Sequence, residues 1–387
     1  MFKDELGKIE ANGEVVIFGA GKVGHTIFSF LEENVNCRQI AFCDNSELLQ
    51  RKYFEYDVYS LGEAISRFPK AVYVLAGENH IDIMKNELLS QGINENQIVN
   101  GCTEDIIRAR DSRFNFHDDR DRSIPLSKIR FEINCAEHCN LNCIGCSTFA
   151  SLAKDEFVDV DELTKDLERM SGIFGGECES IYLIGGEPLL HPLLGEVVTL
   201  SRKFFPIGEI SIFTNGVLLE KQSKNLWKIC RENNVSVVIT KYPLMMNYKV
   251  LTDMLEDEGI AWSWAFSDDG IKVMECSNLD SRGEQNPVYS FTHCSEANNC
   301  IKLKHGKLYT CTLVSSIYKF NRAFNQNFIV LPEDSIDIYS NITAEEIFRK
   351  LSQPIPFCRY CDKKTEPRKF KWQPSKNRMD EWLVKKE

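Results

Sequence analysis

The chain has no run of about 18 consecutive apolar residues, so no segment reads as a membrane-spanning helix. Its first residues, MFKDELGKIEANGE, lack the apolar core of a secretion signal. Positive charge is also in short supply: 46 lysines and arginines stand against 57 aspartates and glutamates, a formal net charge of -11. That balance argues against a nucleic-acid backbone or an anionic membrane as the main partner, and leaves only local basic patches such as residues 363–371. The expectation is a cytoplasmic protein with no membrane and no nucleic-acid partner.

Cysteine is plentiful. There are 15 in 387 residues, and without a secretion signal clustered cysteines point to metal or catalysis rather than disulfides. Three groups stand out: Cys135, Cys139, Cys143 and Cys146; then Cys294, Cys300 and Cys311; then Cys358 and Cys361. Cys37, Cys43, Cys102, Cys178, Cys230 and Cys276 lie in apolar or helical surroundings and read as buried small hydrophobes. The length allows two or three domains, and 43% hydrophobic with 27% charged residues is the composition of a soluble globular protein.

The stretch FEINCAEHCNLNCIGCSTFA holds Cys139, Cys143 and Cys146 as C-x3-C-x2-C, directly after a strand-like run at 128–133. Three close thiolates suit a cubane iron-sulfur cluster with one iron left open. Structural zinc is the competitor, but it is usually closed by a second cysteine or histidine pair, and none lies nearby. Cys135 as a fourth thiolate and His138 as a nitrogen ligand both remain open at this stage.

Toward the N-terminus, an apolar strand at 15–18 runs into Gly19-Ala20-Gly21-Lys22-Val23-Gly24, a helical pattern reaches about residue 33, and a second strand at 40–43 ends at Asp44. Glycines in a β-α turn permit close approach of a phosphate to the helix N-terminus, and an acidic residue at Asp44 suits a ribose hydroxyl. The same glycines are explained equally well by tight helix-on-strand packing with no nucleotide bound. With strands at 71–76 and 97–100 and a helix at 81–91, residues 1–110 read as a Rossmann-like domain. It resembles the small N-terminal domains of several sugar-modifying and polysaccharide-assembly proteins, a resemblance that allows a nucleotide or nucleotide-sugar ligand. The charged residues 111–127 read as a linker.

From residue 128 strand and helix alternate: helix 160–174, strand 180–184, helix 193–204, strand 209–213, helix 220–233, strand 235–240, helix 248–258, then strands near 261–266 and 271–275. Repeated β-α units predict a parallel sheet with ligands at the C-terminal strand ends. The cysteine loop, Gly185-Gly186-Glu187-Pro188, Thr214-Asn215-Gly216 and Thr240-Lys241-Tyr242 all fall there. Lys241 and Tyr242 are candidate proton-transfer groups from that position. His191 is expected to be structural, and Trp262, Trp264 and Phe266 to be core packing.

On the cysteine spacing and the Gly185 to Pro188 motif, residues 128–285 resemble the radical S-adenosylmethionine (SAM) superfamily. The resemblance implies an α/β fold built on a partial (β/α)6 TIM-type barrel. It further implies that the open iron of a 4Fe-4S cluster chelates SAM, that Gly185, Gly186, Glu187 and Pro188 hold the SAM amine, and that Asn215 and Thr240 meet its methionyl or ribose part. Reductive cleavage then yields a 5'-deoxyadenosyl radical. One departure is Gly145, where family members often carry an aromatic residue near the adenine.

Residues 286–387 resemble the Twitch domain, the shortened SPASM form, with Cys294, Cys311, Cys358 and Cys361 as ligands of one auxiliary 4Fe-4S cluster and Cys300 as an alternative to Cys294. A zinc ribbon is the competing reading of that spacing. The resemblance implies hydrogen abstraction from a sugar or small polar metabolite, by oxidation as in the Twitch-containing 2-deoxy-scyllo-inosamine dehydrogenase or by epimerisation, with an external reductant such as flavodoxin or ferredoxin. Peptide maturation and a non-catalytic iron-sulfur or zinc protein are the alternatives.

Overall fold

The structure is a computed structural model that describes residues 2–45, 50, 52–53, 56–77, 81–103, 126, 128–265, 271–276 and 278–383. Nearly all of the expected linker, and Phe266, lie outside the described residues. The chain divides into two compact units. One comprises Met1–Pro125 with Phe291–Ser295 and Ser352–Pro354; the other comprises Leu126–Ser290 with Glu296–Leu351 and Ile355–Glu387.

In the first unit the strands are β1 (Glu14–Phe18), β2 (Gln39–Cys43), β3 (Lys52–Tyr53), β4 (Tyr56–Tyr59), β5 (Val72–Leu75) and β6 (Ile98–Asn100). They form one sheet in the order β3-β4-β2-β1-β5-β6. All pairings except the β3–β4 hairpin are parallel. Strand order reverses at β1, which places the glycine turn after it at the sheet's switch point. Val16, Phe18, Tyr73 and Leu75 are buried in the core of this sheet, as its near-continuous apolar strands require. The hairpin and two helices, Phe2–Asn12 and Leu61–Arg67, carry little hydrophobic periodicity and were not expected. The second is set by a capping box, in which Ser60 accepts from Glu63 N and the Glu63 carboxylate accepts from Ser60 N.

The second unit is built on an eight-stranded sheet. Five parallel strands come first: β7 (Arg130–Ala136), β8 (Ser180–Gly185), β9 (Glu209–Thr214), β10 (Val235–Ile239) and β11 (Trp262–Trp264). Helices Val160–Phe174, Leu194–Phe204, Lys224–Glu232 and Tyr248–Asp257 connect them in turn. Leu183, Ile212 and Val237 are fully buried between strands and helices; each such side chain contributes about 1.5–3 kcal/mol. The strand expected at 271–275 forms as β12 (Val273–Cys276), but it does not extend this sheet. A short strand β13 (Asn278–Leu279) follows it. The sheet grows instead from the other edge, where β14 (Lys302–Lys304) pairs parallel to β7 and continues into β15 (Lys307–Tyr309) and β16 (Ser335–Asp337). The eight-stranded sheet therefore draws strands from both sides of the expected boundary near residue 285. Two ribbons complete the unit: β17 (Cys361–Asp362) on β13, and β18 (Arg368–Lys371) on β12.

Strand β7 shows the two faces plainly. Phe131, Ile133 and Cys135 enter the apolar core, while Glu132 and Asn134 are buried on the opposite face. There Lys302 of β14 forms an ion pair with Glu132 and donates to Asn134 Oδ1 at 3.1 Å. Among the described residues no helix is long and apolar enough to cross a membrane.

Candidate functional site

The cysteine loop leaves β7 between two anchors joined by one buried ammonium. Lys319, on helix Thr312–Phe324, is 0% exposed; its Nζ lies 2.5 Å from Glu137 Oε2 and donates to Thr148 O at 2.8 Å. Lys304 lies 2.9 Å from the other Glu137 oxygen. Burial opposes ionisation of Glu137, but the two ammoniums outweigh it and hold the carboxyl at about 2. Both ends of the loop are thus tied to the C-terminal half of the chain. No local motif announced this.

Each of the three thiols has a polar neighbour. Leu141 N donates to Cys139 Sγ at 3.3 Å, and Cys146 Sγ lies 3.2 Å from Thr148 Oγ1. Cys143 Sγ accepts from the Trp372 indole N–H at 3.1 Å, with the Tyr242 ring packed beside it. Burial pushes the Cys139 and Cys143 thiols above the ordinary range, while these N–H donors act the other way. Gly145 has φ +61, and a Cβ there would lie 1.6 Å from Cys276 Sγ. The expected aromatic residue is excluded at this position because Cys276 fills its space. Cys276 itself, read as an ordinary buried cysteine, lies against the loop.

The Gly185 to Pro188 segment is laid directly on the loop's entry. Gly186 N donates to Ala136 O at 2.7 Å and Glu187 N to His138 O at 3.1 Å. A Cβ on Gly185 would sit 2.2 Å from Ala136 O, and one on Gly186 1.9 Å from His138 O, so both positions demand glycine. Glu187 turns inward, only 1% exposed. Its Oε1 accepts from Thr214 Oγ1 at 2.7 Å and Leu189 N at 3.2 Å, and its Oε2 accepts from Asn215 N at 3.0 Å. Burial raises its carboxyl to about 7 against those three donors. The side chain expected at the SAM amine is here a brace between the ends of β8 and β9. Pro188 is buried at the start of a short turn, Pro188–Leu190.

Asn215 reaches the loop as well, donating to Asn140 Oδ1 at 2.7 Å with its Nδ2 3.7 Å from Cys139 Sγ. Thr240 is tied to β9 through its N–H on Thr214 O. Lys241 turns to an aromatic pair, its Nζ 4.8 Å from the Trp264 ring centre and 5.7 Å from that of Tyr248. Tyr242 is held as a neutral phenol, its ionisation opposed first by burial and then by the neighbouring cysteine sulfurs. Its ring packs with Cys143 and Trp372. His191 is structural: Leu193 N donates to its Nδ1 at 3.0 Å, and its Nε2 lies 3.0 Å from Val158 O. Trp262 and Trp264 pack on the core. Cys135 is 0% exposed on the apolar face of β7, and His138 lies edge-on to Phe157 at 5.1 Å.

Of the C-terminal cysteines, Cys311 and Cys361 are buried in one packed group with Cys358 against it. Cys300 belongs to the same unit, and Cys294 to the other. Two of the six scattered cysteines, Cys37 and Cys102, are half-buried and not core residues. In the first unit, Gly19 (φ +109) is forced by Ala76 O, 2.7 Å from where a Cβ would lie, and Gly24 by Gly19 O at 1.9 Å. Gly21 caps helix Lys22–Asn34, and Asp44 Oδ2 accepts from Ala20 N at 2.8 Å.

A cluster with an open iron fits this donor set. Three thiols are presented from one loop with polar groups beside their sulfurs, and the Gly185–Gly186 turn lies against the loop's entry. Among the described residues no three His, Cys, Asp or Glu side chains converge as a single metal ion would demand. A cluster, taking one thiolate per iron, does not require that.

The parallel sheet carries the thiolate loop at its strand ends, the arrangement expected of a domain that holds a ligand there. Residues 133–240 match the Radical SAM superfamily, and the chain carries a radical SAM domain with the 4Fe-4S cluster and SAM that this family implies. It is 36% identical over 84 residues to the GTP 3',8-cyclase of Chlorobaculum tepidum, covering 22% of this chain and 24% of the relative. It is 33% identical over 122 residues to that of Staphylococcus epidermidis, covering 29% and 34%. The chain thus spans at most about a third of these curated relatives. Among solved structures it is similar to BtrN in complex with AdoMet and 2-DOIA, at 18% identity and TM-score 0.39 over 62% of this chain and 94% of that one. It is also similar to native anSMEcpe with bound AdoMet, at 14% identity and TM-score 0.40 over 60% and 82%.

Proposed function

We propose that the protein is a radical SAM enzyme that abstracts a hydrogen atom from a sugar or other small polar metabolite, leading to oxidation or epimerisation. The observation that carries this reading is the hydrogen-bonded contact of the Gly185–Gly186 turn with the cysteine loop. When bound, the cluster and SAM supply a 5'-deoxyadenosyl radical able to take a hydrogen atom from a C–H bond. Cys139, Cys143 and Cys146 would hold the cluster, and the carbonyls of Gly185 and Gly186 would receive the SAM amine. Asn215 would orient the cofactor from the β9 end.

The second face of β7 supports a polar substrate. Glu132, Asn134 and Lys302 form a buried charged group there, and Ser211 and Ser236 lie 2.8 Å apart on β9 and β10. Such a wall hydrogen-bonds hydroxyl groups and penalises apolar ligands. Cys311, Cys358 and Cys361, with Cys294 or Cys300, would hold an auxiliary cluster able to accept an electron. An external low-potential reductant such as flavodoxin or ferredoxin would supply the reducing electron. The identities to GTP 3',8-cyclases are confined to a part of the chain and support the domain, not a cyclisation. The glycine turn of the first unit leaves room for a nucleotide or nucleotide-sugar reading there.

The test is product mass. Sugars and nucleotide-sugars are incubated anaerobically with the reconstituted chain, SAM and reductant in deuterated water. Loss of two hydrogens marks oxidation, and one solvent deuterium at constant composition marks epimerisation. Stimulation of SAM cleavage by a peptide and by no sugar would overturn the substrate class.

A further inference from the structure

The segment after β18 crosses the cysteine loop. Ile144 N donates to Gln373 O at 3.1 Å, Ser375 N donates to Asn142 O, and Cys143 bridges to Pro374 in antiparallel fashion. Beyond it, the Trp382 indole N–H donates to Cys146 O at 3.0 Å. The crossing is held from both sides. Arg368 donates to Asn278 Oδ1 and to the carbonyls of Asp380 and Glu381. The buried Glu381 carboxylate accepts from Lys376 N and Arg378 N. Trp372 lies between these fixed points, half-buried, its ring edge-on to Tyr242 at 6.0 Å.

An indole nitrogen can only donate, and here its hydrogen is directed at Cys143 Sγ. Reducing a cluster adds negative charge that spreads onto its thiolate sulfurs, so N–H···S bonds favour the reduced state. Cys139 Sγ takes its donors from Leu141 N and Asn215 Nδ2, whereas the Cys143 donor comes from the C-terminal crossing segment.

We infer that Trp372, carried by the C-terminal crossing segment, is a positioning residue that raises the reduction potential of the cluster held by Cys139, Cys143 and Cys146. This rests on the reading that the loop holds a cluster. Its physiological meaning is that the enzyme is reduced by a donor of less extreme potential than an unassisted cluster would need.

The test is a redox titration of the full chain, reconstituted anaerobically and followed by electron paramagnetic resonance. The loop cluster is identified as the signal that SAM perturbs and that Cys139→Ala removes. Trp372→Phe keeps the ring and loses the N–H; its midpoint should move to a more negative potential. Trp372→His, which keeps a ring N–H, should move it less. If Trp372→Phe fails to hold the cluster, the Trp372→Leu midpoint decides. Midpoints equal to or above wild type overturn the inference, whatever the activity. A wild type with no SAM-perturbed signal overturns the reading of the loop, and the inference with it.

Discussion

The chain carries two glycine turns after parallel strands, and they differ in what the missing side chains make room for. At Gly19 and Gly24 the space is taken by Ala76 O and by Gly19 O, parts of the turn's own sheet and helix. At Gly185 and Gly186 it is taken by Ala136 O and His138 O, the backbone that leads into the cysteine loop. Each turn has its carboxylate, and each carboxylate is turned inward: Asp44 to Ala20 N, Glu187 to Thr214, Leu189 and Asn215. Glycine spacing thus reports that two backbones touch. Which backbone is touched decides whether the turn belongs to a reactive centre.

The sharpest way to break this comparison is to make the same clash in both turns. Gly186→Ala and Gly24→Ala each place a Cβ 1.9 Å from a carbonyl oxygen. Gly186→Ala should displace the cysteine loop and lower SAM cleavage by about 100-fold or more, the scale of a misplaced reacting geometry. Gly24→Ala should leave cleavage per cluster within about twofold while destabilising the first unit by about 1–3 kcal/mol, the usual scale of overpacking. Single-turnover formation of 5'-deoxyadenosine and thermal unfolding read the two effects separately. Equal losses of cleavage would erase the distinction.

The two carboxylates give the next contrast. Glu187 has a folded value of about 7, raised by burial from the ordinary 4.5. Its favourable contribution is complete below about pH 4.5 and is lost as pH rises through about 7, a change of about 3 kcal/mol. Unfolding free energies across that window should fall less steeply for Glu187→Gln than for wild type; parallel slopes would contradict the buried-brace assignment. Asp44→Ala leaves Ala20 N without its carboxylate acceptor and should cost about 1–2 kcal/mol in the first unit, with SAM cleavage unchanged. A drop in cleavage with Asp44→Ala would show the first turn to be part of the chemistry.

Much of this was legible because it is local. The five parallel strands β7–β11 and their helices follow hydrophobic periodicity, and helix Val160–Phe174 begins at Asp159, whose side chain accepts from Glu162 N. The thiolate loop and the Gly185 to Pro188 turn are visible as motifs with their own spacing. What escaped depends on pairing across long separations. β14 joins β7, Lys319 reaches Glu137 and Thr148, and Trp372 reaches Cys143, none of which a local window encodes. One signal was present: in Lys369-Phe370-Lys371-Trp372 aromatic residues alternate with lysines at strand period, and β18 forms there. Reading that stretch as a basic patch hid its apolar face. The neighbours of Lys241 were equally hidden: a strand-end position suggests proton transfer, and only the fold shows its Nζ beside Trp264.

The metal content separates the two cysteine groups. Iron and sulfide analysis of the reconstituted chain should give about eight irons, from two four-iron clusters. Four irons with one zinc would keep the loop cluster and replace the C-terminal one by a zinc site. The most direct test of the central claim is formation of 5'-deoxyadenosine from SAM under strong reductant. It should be seen with the wild-type chain, absent in Cys139→Ala, Cys143→Ala and Cys146→Ala, and retained in Cys358→Ala. Intact clusters in the wild type with no 5'-deoxyadenosine would contradict the assignment of the loop to radical chemistry.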